Sequence, residues 1–99
     1  MHKVKPVKVR VHIFISGRVQ GVFFRSETRY ETRKRGVKGW VRNIRDGRVE
    51  VVFEGEEEAV KELLEFCKRG PSGGKVTHVD VQWESYTGEF KDFQIRYGF

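Results

Sequence analysis

Valine and isoleucine occupy every second position from Val7 to Ile15, with Lys8, Arg10, His12, Phe14 and Ser16 among them. That period of two predicts a β-strand with one buried face. Beyond a glycine-containing segment the alternation is lost. A helix is expected over 24–35, stopped by Gly36 where a left-handed cap fits. Its pattern is uneven, because Thr28 and Thr32 share the face of Phe24, where larger apolar residues would be easier to explain. Two strands follow, over 37–44 and 49–54, joined at Asp46-Gly47, a hairpin signal. The second helix, over 56–69, carries the clearest stripe: Ala59, Val60, Leu63, Leu64 and Cys67 at helical spacing. Glu56, Glu57 and Glu58 suit its positive end, Lys68 and Arg69 its negative end, and Gly70-Pro71 stops it. Ser72-Gly73-Gly74 reads as a mobile turn. Residues 76–83 read as a strand with Thr77, Val79, Val81 and Trp83 on one face. After a polar loop over 86–91, Phe93, Ile95 and Tyr97 make a short last strand.

Strand, helix, strand, strand, helix, strand is the split βαβ plan. It predicts an α+β fold: a ferredoxin-like βαββαβ sandwich with an antiparallel-dominated sheet, both helices on one face and a short extra C-terminal strand. The 99 residues suit one domain over 1–99, residues 1–6 being a short basic tail expected to fray. No internal repeat or linker is visible.

Composition narrows the function. Hydrophobic residues at 37% with 13% aromatic argue against disorder despite 34% charged residues. No stretch approaches the ~18–20 apolar residues of a membrane span and no signal peptide precedes the first strand, so a cytoplasmic protein is expected. The single cysteine, Cys67, excludes an internal disulfide or multi-thiolate metal site and reads as a packing residue. His2, His12 and His78 lack ligand spacing, so a structural zinc is not expected, and no cofactor is expected. The net charge of +6 suits either nucleic acid or a small anionic substrate. The charged fraction points toward a thermophilic source.

Two segments carry candidate chemistry. The first is Gly17-Arg18-Val19-Gln20-Gly21-Val22-Phe23-Phe24-Arg25, placed between the first strand and the first helix. Such a loop lets several backbone N–H groups converge on one anion, and the helix dipole adds to that field. Arg25 falls where the dipole disfavours a cation, which a nearby anion would explain; a solvated arginine on a plain connector is the competing reading. The spacing fits neither the Walker nor the dinucleotide glycine motif. The second segment is Gly39-Trp40-Val41-Arg42-Asn43. Parity puts Asn43 on the face of Val37 and Val41, opposite Trp40 and Arg42, so a carboxamide falls on the core side at a strand end. A buried amide needs partners, and either the adjacent turn backbone or catalysis would supply a role.

Together these segments resemble the two signatures of the acylphosphatase family, Gly-x-Val-Gln-Gly-Val-x-Phe-Arg and Gly-Trp-Val-Arg/Lys-Asn, at the family's separation. The resemblance runs from about Val7 to Tyr97. It implies metal-free hydrolysis of a carboxyl–phosphate anhydride, with small acyl phosphates and inorganic phosphate as ligands. By motif, Arg25 clamps the phosphoryl group, Asn43 holds the attacking water, and Gly17, Arg18, Val19, Gln20, Gly21, Val22 and Phe23 form the phosphate cradle. Phe23 stands at the variable position and would shape the mouth of the site. Ser16 and Ser26 lack a base at recognisable spacing, so a serine nucleophile is not expected. Asp46 and Glu50 are expected to shape the hairpin and its surface. Arg18, Arg42, Arg45 and Arg48 are expected to form a basic neighbourhood around both segments.

The alternative is a non-catalytic anion- or RNA-binding module, since ferredoxin-like domains of basic charge often bind RNA; the aromatic strand signature of that class is absent. A third reading, the similar domains inside carbamoyl-transferring maturation enzymes, expects a further domain, and the chain ends at Phe99. A monomer is expected, with the C-terminal edge strand able to pair weakly with another chain.

Overall fold

The computed structural model describes residues 7–21, 24–71 and 73–97. Five strands and two helices follow in the order β1 (Lys8–Arg18), α1 (Phe24–Lys34), β2 (Lys38–Asn43), β3 (Val49–Glu56), α2 (Glu57–Arg69), β4 (Lys75–Glu84) and β5 (Phe93–Arg96). The strands form one sheet in the order β4-β1-β3-β2-β5. All pairings are antiparallel except that of β5 with β2. This is the expected ferredoxin-like sandwich, its extra strand added in parallel at the β2 edge.

The alternation of the first strand does what a period of two demands. Val11, Ile13 and Ile15 pair with Phe53, Val51 and Val49 across β1 and β3, and all six are buried on the helix side. Val60, Leu63, Leu64 and Cys67 of α2 pack into the same core. Burial pushes the Cys67 thiol far above its ordinary range, in keeping with a packing role. Thr28 and Thr32 of α1 are both fully buried. The Thr32 hydroxyl donates to the Arg29 carbonyl at 2.7 Å, so this polar group is satisfied within its own helix and the side chain packs as an apolar one would.

Two expectations are corrected. β1 does not stop at Ser16: it continues through Gly17 and Arg18, which pair with Val76 and Lys75 of β4 after a register shift between Ser16 and Gly17. Gly17 has φ of 127°, and a Cβ there would lie 2.0 Å from the Lys75 carbonyl oxygen, so only glycine lets the two strands approach this closely. Glu50, expected at the hairpin surface, is buried on the open face of the sheet. It accepts from Arg42 Nε at 2.7 Å and lies 2.6 Å from His12 Nε2. The expected tail over 1–6, and Ser72 of the expected turn, lie outside the described residues. Among the described residues no helix is long and apolar enough to cross a membrane.

Candidate active site

The chain leaves β1 at Arg18, and Val19 then turns inward until it is 1% exposed. One buried aliphatic side chain thus fastens a loop whose neighbours Gly17, Arg18 and Gly21 are exposed. Gly21 adopts φ of 74°, a left-handed turn that redirects the chain toward α1. Of the nine expected site residues, Gly17 and Arg18 belong to the strand end, and Val19, Gln20 and Gly21 form the loop. Val22 and Phe23 lie outside the described residues.

Arg25 stands in the first turn of α1, half-buried, on the wall of a cleft of about 200 Å³ lined also by Val19, Gly21, Phe24, Ser26, Ile95 and Tyr97. Its guanidinium carbon lies 5.1 Å from the centroid of the Tyr97 ring. Arg10, Arg33, Arg35, Arg42 and Arg48 each make an ion pair with a carboxylate. Arg25 makes none among the described residues. A cation at the positive end of a helix, stacked on a ring and without a carboxylate, suits an external anion.

Asn43 closes β2 opposite Val49 of β3, on the same side as Val41, as its parity requires. Its Oδ1 is buried and has no hydrogen-bond partner among the described residues; the only other such atom is Thr28 Oγ1. The turn bond that the competing reading called for is therefore not made by this oxygen. Asn43 is not among the residues lining the Arg25 cleft. The connection runs through Gln20, whose Nε2 donates to the carbonyls of Ile44 at 2.8 Å and Arg48 at 2.9 Å. Sequence reasoning placed Gln20 in the cradle but missed this tie, and missed Tyr97 beside Arg25. Only the alternation of the last strand hinted at the latter.

The basic neighbourhood is weaker than its count of arginines suggests. Arg42 is neutralised by Glu50 and covers the Trp40 ring. Arg48 bonds Asp46 and covers Phe14. Asp46 is thereby held below its ordinary range, first by the Arg48 guanidinium and then by the Arg48 N–H. Trp40 also lies under Arg96, so the aromatic rings of the open sheet face are already stacked on arginines instead of presented to bases. Among the described residues no group of three or more His, Cys, Asp or Glu is arranged to hold a metal ion.

Comparisons with known proteins agree with the motif reading. The acylphosphatase family model matches residues 11–95. The chain is 57% identical over 86 residues to an acylphosphatase of Roseiflexus sp., covering 87% of this chain and 92% of that protein. It is 50% identical over 90 residues to one of Pelotomaculum thermopropionicum, covering 91% and 98%. Among solved structures, the acylphosphatase from Bacillus subtilis superposes with a TM-score of 0.86 at 39% identity, covering 90% of this chain and 99% of that one.

Proposed function

The chain belongs to the acylphosphatase family, and from that premise we propose that it hydrolyses small acyl phosphates at a site built from Arg25, Asn43 and the 17–23 loop. Phosphoryl transfer passes through a loose transition state, so positioning and charge stabilisation carry most of the catalysis. Arg25 offers a permanently charged planar fork to two phosphoryl oxygens. Backbone N–H groups of the loop and the N-terminus of α1 complete the field around the third.

The water oxygen attacks phosphorus while the P–O bond to the acyl group breaks and its electron pair leaves with the carboxylate. One water proton passes to the phosphate product or to solvent. Because a carboxylate leaves readily, no protein acid is required at the leaving oxygen, and none of the site residues is a histidine or carboxylate. Asn43 Oδ1 accepts a hydrogen bond from the attacking water and so fixes its direction. Arg25 and the amides supply the positive field that a metal would otherwise supply.

The observation that carries this reading is the Asn43 oxygen: a buried acceptor with no partner among the described residues is what a bound nucleophilic water would satisfy. The test is hydrolysis of benzoyl phosphate by the purified chain, with and without a chelator. Turnover insensitive to chelation is expected. Absence of turnover in a folded protein would refute the reading, and a loss restored by added metal would refute its metal-free form.

A further inference from the structure

We infer that Gln20 is a positioning residue whose side-chain amide sets the separation between the phosphate cradle and the Asn43 water site. This rests on the proposed function and goes beyond it, because Gln20 there contributed only its backbone. The side-chain amide has two N–H hydrogens, and the two bonds to Ile44 O and Arg48 O use both. These carbonyls are the two ends of the β2–β3 turn. Ile44 N donates to Arg48 O at 3.0 Å, and Gly47 N to Ile44 O at 3.1 Å, so each carbonyl accepts one bond from within the turn and one from Gln20. Ile44 directly follows Asn43, and Arg48 directly precedes Val49, the partner of Asn43 in the ladder. The amide therefore grips both ends of the turn directly beside the Asn43–Val49 pair.

Each half keeps its own shape without the tie. The loop is anchored in the core by Val19, and the turn by its internal backbone bonds and by Asp46, which accepts from Arg48 N at 3.0 Å. The β1–β3 ladder joins the two halves as far as the Ile15–Val49 pair, and beyond that pair Gln20 ties the loop to the turn. Losing the tie should leave phosphate binding largely intact and misplace the water with respect to phosphorus. That is a defect in turnover, because reacting atoms must lie within a few tenths of an ångström of their productive geometry.

The experiment uses the full chain with benzoyl phosphate as substrate and inorganic phosphate as inhibitor, in Q20E and Q20A. Glutamate keeps the shape but removes both donors and opposes a charge to two carbonyls. Alanine brings no charge and reports where Q20E does not fold. A kcat lowered by at least about tenfold is expected, with the phosphate inhibition constant moving less than about threefold. The Q20A substitution is then repeated in N43A, where it should cost less than about threefold, because the water it positions is no longer held. Unchanged kcat in folded Q20A would overturn the inference, as would effects of Q20A and N43A that multiply. An inactive unaltered chain would instead refute the proposed function, and the inference with it.

Discussion

Replacing Asn43 by alanine should move stability and activity in opposite directions. Until a water binds it, the Oδ1 atom is buried with no partner among the described residues, which costs the folded state ~1–3 kcal/mol relative to a satisfied group. Alanine removes that oxygen, and the dispersion attraction that disappears with the rest of the carboxamide offsets about 1 kcal/mol of the gain. The net change is between about 0 and +2 kcal/mol of stability. For a chain of 99 residues, 1 kcal/mol shifts Tm by ~4–8 °C, so Tm should hold or rise. Turnover should fall by about a hundredfold or more, the usual cost of one preorganised donor or acceptor at such a site. Circular dichroism melts beside benzoyl phosphate kinetics read both quantities on one preparation. A Tm lowered by more than about 5 °C would show that the carboxamide makes native bonds the fold depends on. Turnover retained within about threefold would remove Asn43 from the chemistry.

Arg25→Ala should weaken inhibition by inorganic phosphate by about 10–100-fold as well as lowering kcat, since a charge-assisted fork is lost; unchanged phosphate inhibition would contradict its role. The fold should survive, because the Tyr97 contact it gives up is exposed and contributes only ~0.5–1 kcal/mol. Gly39→Ala should destabilise by at least about 3 kcal/mol in denaturant titration: φ there is 139°, and the new Cβ would lie 1.9 Å from the Val52 carbonyl oxygen. A loss below about 1 kcal/mol would show that β2 and β3 can separate at this point. Burial pushes the Glu54 carboxyl up, but bonds from Thr87 N–H and hydroxyl, Arg10 and Gly88 N–H outweigh it and hold the group below its ordinary value of 4.5. A depressed carboxylate contributes stability that is present above that value and lost as pH falls through the folded one. Urea midpoints of the unaltered chain should therefore fall more steeply below pH 4.5 than those of Glu54→Gln, and parallel curves would refute the assignment.

What could be read from the sequence was whatever repeats locally. The alternation from Val7 to Ile15 and the stripe through Val60, Leu63, Leu64 and Cys67 are each visible within one element, and they fixed the core face of β1 and α2. Gly17 and Arg18 were not legible as strand, because what extends β1 is pairing with Val76 and Lys75, nearly 60 residues later, through an irregular register that no period of two encodes. Glu50 reads as a residue of the hairpin surface, and Glu54 only as the end of its strand. Their burial depends on His12, Arg42, Arg10 and Thr87, partners from other strands and from the loop before β5. The candidate site shows the same division. The two motifs contain Arg25 and Asn43, and parity alone puts the Asn43 carboxamide on the core side of β2. Neither motif contains the relation between them. That relation runs through the side-chain amide of the first motif's glutamine, which reaches carbonyls 24 and 28 residues away, a reach that no local pattern encodes. Positioning by such a tie responds to perturbation differently from binding: a substitution at the Gln20 side chain leaves Arg25 and Asn43 in place and changes only how the two are held together.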